Sequence, residues 1–426
     1  MDRPHPDSPH PWRWIPTLYF AEGVPYVAVM TLSVIVYKNL GISNTAIALY
    51  TSWLYLPWVI KPLWSPLVDL HRTKRAWIVV LQFVMGAALA SIALVLPGSQ
   101  FFRATLAVFW LLAFSSATHD IAADGFYLLA LPPHDQAAFV GVRSTFYRLA
   151  TIATQGGLVW LAGAWQQSLG SVTRAWSWVF AIAAVFFAGV GLFHFAVLPR
   201  PAADRAGARA GGGFAGWREV FAAFFRKKGI GTTLAFLLLY RFAEAQLLKL
   251  VPPFLLDARA AGGLALSTEQ VGIIYGTIGV IALTLGGIIG GIVIARGGLK
   301  RLLWPMLLAM YVPNLVFIVL AVAQPANLAV IATALALEQF GYGFGFTAYL
   351  LYMMMVADGE HRTAHYAICT GFMALGMMLP GMGAGWLEEK LGYVNFFIWV
   401  CLATLPAFVA TAMVRIDPDF GRKQRA

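Results

Sequence analysis

Apolar runs of about twenty residues or more recur twelve times along the chain and constrain its fold more than any other feature. As a helix, each run is long enough to cross the roughly 30 Å hydrocarbon core of a bilayer. Hydrophobic residues make up 60% of the 426 residues, charged residues 12%, and the mean hydropathy is +0.72. Water-facing surface cannot accommodate so much apolar area. The sequence therefore predicts an all-α polytopic membrane protein with little chain left for a soluble domain.

The runs fall into two groups of six, separated by a polar stretch from Pro199 to Lys228. We expect an N-terminal six-helix bundle at 1–198, a cytoplasmic linker at 199–229 and a C-terminal six-helix bundle at 230–426. The predicted spans are, at about these bounds, 14–37, 45–68, 76–97, 104–131, 138–165, 175–198, 230–256, 269–295, 302–323, 326–356, 362–387 and 392–414.

The linker contains aromatic residues at helical spacing, followed by a basic end. This pattern predicts an amphipathic helix that anchors the linker on anionic lipid, with a regulatory role as the alternative. The residues are Phe214, Trp217, Phe221, Phe224 and Phe225 on the apolar face, and Arg218, Arg226, Lys227 and Lys228 on the polar face.

The net charge of +11 is distributed by topology. If the chain crosses twelve times with both termini inside, 20 Lys and Arg residues lie on the inner side and five on the outer side. Such a bias is the positive-inside signal. We expect a multi-pass protein of the bacterial inner membrane with both termini in the cytoplasm, and no nucleic-acid partner.

The two halves resemble each other. Phe20-Ala21-Glu22-Gly23 in the first span is echoed 222 residues later by Phe242-Ala243-Glu244-Ala245 in the seventh. The basic turn at 72–75 has a counterpart at 296–301 at a similar offset. Duplicated halves predict a binding site between them.

Ionisable residues inside the spans are concentrated on particular helices. A charge at the bilayer centre costs about 2.5 to 3.5 kcal/mol on insertion scales, so its presence indicates function. Spans three, six, nine and twelve have essentially none, whereas spans one, four, five, seven and ten carry five acids and four bases: Glu22, Asp120, Asp124, Glu244 and Glu338, with Arg143, Arg148, Arg241 and Lys249.

Several segments resemble a known family. The turn from Asp69 to Arg75 stands where the major facilitator superfamily has its acidic and basic loop. The stretches 61–69, 116–124 and 20–25 resemble the muropeptide permease (AmpG-like) and acetyl-coenzyme A transporter family. The resemblance implies the major facilitator superfamily fold, transport by alternating access, and gating by Asp69, Arg72 and Arg75. It also implies import of an anhydro-muramyl sugar-peptide, although some bacterial members import siderophores.

The proton-coupling candidates are the acids Glu22, Asp120, Asp124 and Glu244. Glu22 is the first choice because its span has no basic partner of its own. Asp120 and Asp124 lie on one helix face and serve either as a relay or as partners of Arg143 or Arg148. Arg241 and Glu244, three residues apart, either neutralise each other or act separately.

Candidates for cargo binding combine hydrogen-bonding groups with aromatic walls, although helix packing is an equal alternative for the tyrosines. They are Tyr26, His119, Arg143, Arg148, Arg241, Lys249, Glu338, Gln339, Tyr342 and Tyr349.

The sequence lacks a nucleotide-binding P-loop, the common hydrolase motifs and paired metal-ligand cysteines. Cys369 and Cys401 are expected to be buried free thiols. We therefore expect no cofactor, no metal and no enzymatic activity, with a proton gradient as the energy source and a monomer in the bilayer. The alternative from another class is a membrane-embedded transferase that uses His119 and Asp120 as acid and base.

Overall fold

The computed structural model describes residues 10–205, 213–418 and 420, apart from the side chains of residues 69, 70, 133, 137 and 213–217. The regular structure of these residues is helical. The first half forms six long helical segments, some of them built from consecutive pieces: Pro11–Asn39 (α1), Asn44–Trp53 with Leu56–His71 (α2), Lys74–Val95 (α3), Phe101–Ala130 (α4), Pro133–Thr151 with Ile152–Leu158 and Val159–Leu169 (α5), and Val172–Val197 (α6).

A linker helix, Gly213–Phe225, precedes the second half. Arg362–Leu402 is divided by a kink at Gly392, whose φ of 72° is a left-handed backbone conformation that favours glycine. The second half comprises Ile230–Leu239 with Phe242–Leu256 (α7), Thr268–Gly297 (α8), Leu299–Ala323 (α9), Leu328–Ala357 (α10), Arg362 to the kink (α11), and the kink to Met413 (α12).

By length and composition alone, eight helical stretches are able to cross a membrane. One of them, Arg362–Met413, contains the Gly392 kink and supplies two crossings. The other three segments are α2 and α7, each split into two shorter helices, and α5, which begins with polar residues. The described residues thus agree with the predicted twelve segments and the all-α fold.

Large apolar side chains cover the outside of the bundle. Leu94 is 80% exposed, Val185 72% and Val322 67%. Such exposure of aliphatic side chains in water would be a strong aggregation liability, whereas in a bilayer these side chains contact lipid tails. The exposed apolar surface therefore faces the membrane.

Consecutive segments run in opposite directions, which gives the bundle two ends. The linker end carries the α2–α3 turn, the linker helix and the α10–α11 turn. The opposite end carries the α1–α2 turn at 40–43 and the α7–α8 connection at 257–267.

Glycines allow the two halves to pack closely between α5 and α8. A Cβ atom at Gly276 would lie 2.2 Å from the carbonyl oxygen of Gln155, and one at Gly272 would lie 2.5 Å from the backbone nitrogen of Trp160. Backbone therefore contacts backbone across the halves, which is the role the small residues of membrane helices commonly have.

The linker helix packs on protein. Phe224 is fully buried, and its ring lies 5.4 Å from that of His365 in α11. The His365 Nε2 atom lies 3.2 Å from the Val220 carbonyl oxygen. The predicted helix is present, and Phe224 contacts α11 rather than lipid; the side chains of Phe214 and Trp217 lie outside the described part.

The turn between α2 and α3 is attached to the linker. The backbone N–H groups of Lys74 and Arg75 donate to the Asp204 carboxylate at 2.7 and 3.0 Å, so this acid caps the start of α3. The Arg75 guanidinium donates to the carbonyl oxygens of Phe195 and Leu198 at the end of α6. Arg72 is exposed, and the side chain of Asp69 is among those left undescribed. The described contacts of this turn join it to α6 and the linker, not to the second half.

Candidate functional site

An acidic cluster lies between α1 and α4 in the first half. Glu22, Asp120 and Asp124 each place a carboxylate oxygen within 4.8 Å of the other two. Asp120 and Asp124 are one helical turn apart and share a face of α4, and Glu22 projects from the buried part of α1. Sequence reasoning named all three residues but did not group them.

Two cations hold this acidic cluster. The Lys61 ammonium contacts Asp120, and the Arg143 guanidinium contacts Asp124. Lys61 was missed by the sequence count of four interior bases, which is therefore wrong: α2 carries a fifth. Its position within the apolar run from Leu56 to Val68, away from the basic turn at 72–75, was the available signal.

Asp124 pairs with Arg143 and, among the described contacts, not with Arg148. The guanidinium carbon of Arg143 lies 4.2 Å from the centre of the Tyr19 ring and 4.4 Å from that of Tyr127. Cation–π contacts of this kind strengthen when water is partly excluded. Arg143 is thus the partner of Asp124, and Arg148 does not form this ion pair.

Arg148 lies one and a half turns further along α5 and is partly exposed. Among the described residues, none makes a hydrogen bond or an ion pair with its side chain. A cation within a membrane bundle normally has such a partner. Arg148 is therefore available to an anionic group of a bound solute.

The second half holds a cluster around Arg241 at the break in α7. The helix stops at Leu239 and restarts at Phe242, and the freed Tyr240 carbonyl accepts from the Tyr311 hydroxyl. Arg241 donates to the Tyr342 hydroxyl of α10, and its guanidinium carbon lies 4.7 Å from the Phe346 ring centre.

Arg241 and Glu244 do not form the ion pair that one sequence alternative supposed. Both carboxylate oxygens of Glu244 are buried without a hydrogen-bond partner among the described residues. The guanidinium turns to α10 because Tyr342 offers an oxygen and Phe346 a ring face. Glu244 therefore keeps a buried carboxyl group that its neighbours do not neutralise by contact.

Glu338 lies on α10 and is 1% exposed. One of its oxygens accepts from the Gln339 amide at 2.9 Å, and the other has no partner among the described residues. One carboxylate oxygen of Glu338 is therefore satisfied by Gln339, and the other is not satisfied by any described residue.

Lys249 bridges the two halves. Its ammonium donates to the Thr51 hydroxyl of α2 at 3.0 Å and lies 5.2 Å from the Tyr55 ring centre. Lys249 and Tyr55 line a small cavity of about 50 Å³ between α1, α2, α7, α8 and α11. Beside it, the rings of Tyr26 and Trp58 meet edge to face at 5.2 Å.

Tyr349, another candidate for cargo binding, lies in a packed position. Tyr349 is fully buried, donates to the Leu237 carbonyl oxygen at 2.6 Å, and stacks on Tyr240. This position supports the packing alternative. The hydroxyl group is already used, and no part of the ring faces open space.

His119 belongs to a buried chain of hydrogen bonds inside the first half. It contacts Gln82 of α3 at 3.1 Å, Gln82 contacts His194 of α6 at 2.9 Å, and His194 contacts Thr17 of α1 at 2.9 Å. His119 is fully buried within this chain. It points away from the carboxylate cluster. The transferase alternative requires His119 to act together with Asp120 in that cluster, so this orientation does not support it.

Polar contacts between the halves concentrate at the opposite end. Lys38 and Asp257 form an ion pair at 2.6 Å, and Asp257 also accepts from the Tyr393 hydroxyl at 2.6 Å. Asn44 donates to Glu388 at 2.7 Å. The Lys38–Asp257 and Asn44–Glu388 contacts join α1 and α2 to the end of α7 and to α11, and Asn44 also donates to the Tyr393 hydroxyl of α12 at 3.0 Å. The structure is therefore closed at the opposite end.

The acidic cluster is reached by solvent. The side chain of Asp124 is 46% exposed, that of Arg143 24% and that of Asp120 22%. Asp124 lies closer than Asp120 to the linker end of α4. The exposure that rises towards the linker end indicates that the cluster opens towards that end.

Known proteins share both the sequence pattern and the fold. The sequence model described as Major Facilitator Superfamily matches residues 17–362. The anhydromuropeptide permease of Escherichia coli (strain K12) is 25% identical over 418 residues, covering 95% of this chain and 80% of the relative. The putative transporter AmpG 4 of Rickettsia conorii is 24% identical over 410 residues, covering 92% of this chain and 93% of the relative.

A solved structure shows the same architecture. The crystal structure of the nucleoside transporter NupG (D323A mutant) superimposes with a TM-score of 0.71 at 16% identity, covering 94% of this chain and 99% of that one. The curated relatives are named as a permease and a transporter, so the chain is a transporter and not an enzyme. The chain therefore belongs to the major facilitator superfamily and is a multi-pass secondary transporter.

Proposed function

We propose that this chain is a proton-coupled symporter that imports an anhydro-muramyl sugar-peptide across the bacterial inner membrane by alternating access. It works as a monomer without a cofactor, and the proton gradient supplies the energy. Glu22, supported by Asp120 and Asp124, carries the transported proton.

The observation that carries the coupling proposal is the charge count of the acidic cluster. Three carboxylates meet within 4.8 Å, and two cations, Lys61 and Arg143, contact them. One negative charge is left in excess, and like charges at this separation disfavour one another, most of all at the buried Glu22. A proton shared by the cluster removes the excess, and the proton belongs to the group more than to one residue.

Glu22 is the acid best placed to gain and lose that proton. Its Oε2 atom is buried without a hydrogen-bond partner among the described residues, whereas Asp120 and Asp124 each contact a cation. A tilt of α1 relative to α4 during alternating access would change the distance from Glu22 to the aspartates. Such a change couples proton release to opening.

The relative from Escherichia coli supports the choice of cargo by its name, anhydromuropeptide permease. Arg148 offers an uncommitted cation for a carboxylate of the peptide. Tyr26 with Trp58, and Tyr342 with Phe346, offer aromatic surfaces for the sugar rings. A siderophore or another large polar solute is the alternative cargo, because the same groups bind oxygen-rich molecules.

The proposed orientation places the linker end in the cytoplasm. The positive-inside bias of the loops favours this direction. Because the opposite end is closed, the structure then corresponds to a state that opens to the cytoplasm, the state that releases an imported solute.

Reconstituted vesicles test the coupling. An imposed inward proton gradient is expected to drive accumulation of anhydro-muropeptide by the wild-type protein. Glu22→Gln is expected to lower this accumulation by about tenfold or more, the ratio that one coupled proton supports at a pH difference of about one unit. It should retain exchange of labelled for unlabelled cargo, because a permanently neutral residue still allows binding. The exposed linker variant Glu219→Gln serves as the matched control. Proton-driven accumulation by Glu22→Gln equal to that of the control would overturn the proposal, and accumulation driven by sodium alone would assign the cluster to a different cation.

A binding screen tests the cargo. Anhydro-muropeptides and ferric siderophores would be compared by thermal shift of the purified protein, with Arg148→Gln as the comparison variant. The proposal expects the muropeptide to stabilise the protein, with an apparent affinity that is about tenfold or more weaker in Arg148→Gln because one charge-assisted contact is lost. Stabilisation by siderophores only would mean that the cargo is a siderophore, and it would not affect the proposed transport mechanism.

A further inference from the structure

The second half repeats an arrangement that the proposed function uses only in the first half. Glu244 stands in Phe242-Ala243-Glu244-Ala245, the segment that echoes the Glu22 segment 222 residues earlier. Like Glu22, it projects from the first helix of its half into the interior and has buried carboxylate oxygen without a hydrogen-bond partner among the described residues. Repeat-equivalent acids in equivalent surroundings suggest equivalent chemistry.

Glu244 is the less compensated of the two acids. It is fully buried, and both of its oxygens lack a hydrogen-bond partner among the described residues. A buried carboxylate without hydrogen-bond donors is disfavoured relative to its protonated form, because burial penalises the charge. Arg241 of α7 contacts Tyr342 of the antiparallel α10, and Glu244 and Glu338 each lie about one turn from this contact towards the opposite end. The two acids therefore lie at the same level of the bundle, and Glu338 also has an oxygen without a partner among the described residues.

The nearby cations do not neutralise both acids. Arg241 supplies one positive charge, and its guanidinium is held by Tyr342 and Phe346. Lys249 points to Thr51 and Tyr55 of the other half, and forms no ion pair among the described residues. Two carboxyls therefore share one local cation, which leaves the same excess of one negative charge as in the first half.

The other groups around the pair are neutral donors or acceptors. They are Tyr275 of α8, Tyr311 of α9, and Gln339 and Tyr342 of α10. Because none of these carries a positive charge, they do not remove the excess.

We infer that Glu244 and Glu338 form a second proton-binding site, so that each half carries one proton and two protons accompany each molecule of cargo. The inference rests on the proposed proton symport and specifies its stoichiometry. In each half the bound proton then removes the excess negative charge of the acid cluster itself, which lowers the cost of keeping that cluster in a low-dielectric environment.

Stoichiometry is measured in vesicles with the membrane potential held at zero by potassium and valinomycin. A pH difference of about one unit balances a cargo ratio of about tenfold for each coupled proton, since each tenfold ratio corresponds to about 1.4 kcal/mol. With anhydro-muropeptide as the probe, two protons predict an equilibrium ratio of about 100-fold. Glu244→Gln is expected to lower this ratio to about tenfold, and Glu338→Gln to do the same or to leave an intermediate value.

The outcomes separate this inference from the proposed function. A wild-type ratio of about tenfold that is lost in Glu22→Gln and unchanged in Glu244→Gln overturns the second site and keeps the first. A ratio near one in the wild-type protein overturns proton symport itself. Exchange of labelled cargo by every variant shows that the protein is folded, and Glu219→Gln, with an unchanged ratio, is the matched control.

Discussion

At the scale of single residues, Lys61 alters the electrostatics of the first half more than its sequence position suggests. It faces three carboxylates together with Arg143. Lys61→Met leaves three acids against one cation, whereas Asp120→Asn leaves two acids against two cations. The single variants of this ion pair are therefore not equivalent.

Lys61→Met is expected to lower the free energy of unfolding of the detergent-solubilised protein by about 1 to 2 kcal/mol, a value kept small because the Lys61–Asp120 pair is partly exposed. Asp120→Asn is expected to lower it by clearly less. The double variant restores the wild-type charge balance and should recover most of the loss. Thermal unfolding followed by intrinsic fluorescence measures all three. The difference between the single variants should shrink at acidic pH, where protonated carboxyls no longer require the cation. Equal losses in the single variants would show that the ion pair, and not the charge count, determines stability.

At the scale of helices, the crossing of α5 and α8 depends on glycine. Gly276→Ala would place a methyl group 2.2 Å from the Gln155 carbonyl oxygen, so the two helices must separate. The expected result is a weaker closure of the opposite end, because this crossing joins the two halves there. Disulfide cross-linking of cysteines introduced at Trp160 and Glu269, whose side chains are bonded at 3.0 Å, measures that closure.

Gly157→Ala is the matched control for this variant. Gly157 lies on α5 two residues after Gln155, and apart from its chain neighbours and the backbone of its own helix no atom lies within 4 Å of the added carbon. Cross-linking should fall in Gly276→Ala and stay unchanged in Gly157→Ala. A similar fall in both variants would point to helix propensity instead of the contact between the halves.

At the scale of the whole molecule, the distribution of polar contacts between the halves selects one conformation. Asp257, at the end of α7, pairs with Lys38 of the first half, whereas its second partner, Tyr393, belongs to its own half. Asp257→Asn is expected to shift the resting population towards the conformation that is open at the opposite end. A membrane-impermeant maleimide should then label a cysteine at Thr31, which lines the central cavity, several-fold faster from the outside. The exchange variant Lys38→Asp with Asp257→Lys should restore slow labelling, and fast labelling in that variant would mean that this ion pair does not provide the closure.

The sequence predicted much of the site because buried charge in a membrane is rare and conspicuous. Glu22, Asp120, Asp124, Arg143 and Arg241 were found by their residue type within apolar runs. Their partners were harder to predict, since an ion pair between helices depends on how the helices rotate and tilt. For that reason Arg241 was assigned Glu244 as one option, and the contact with Tyr342 across 101 residues was missed.

The sequence by itself determined the membrane location, the division into two halves and the helices that carry charge, since hydrophobicity and repeat spacing are properties of the chain. The tertiary structure alone decided how those charges combine. Glu22 joins two aspartates, Lys61 faces them from another helix, and His119 turns into a hydrogen-bond chain. The physical reason is that a hydrogen bond or ion pair forms over about 3 Å, and only the packing of separate helices brings distant residues to that distance. The repeat placed an acid in each half, and the fold left both without full compensation.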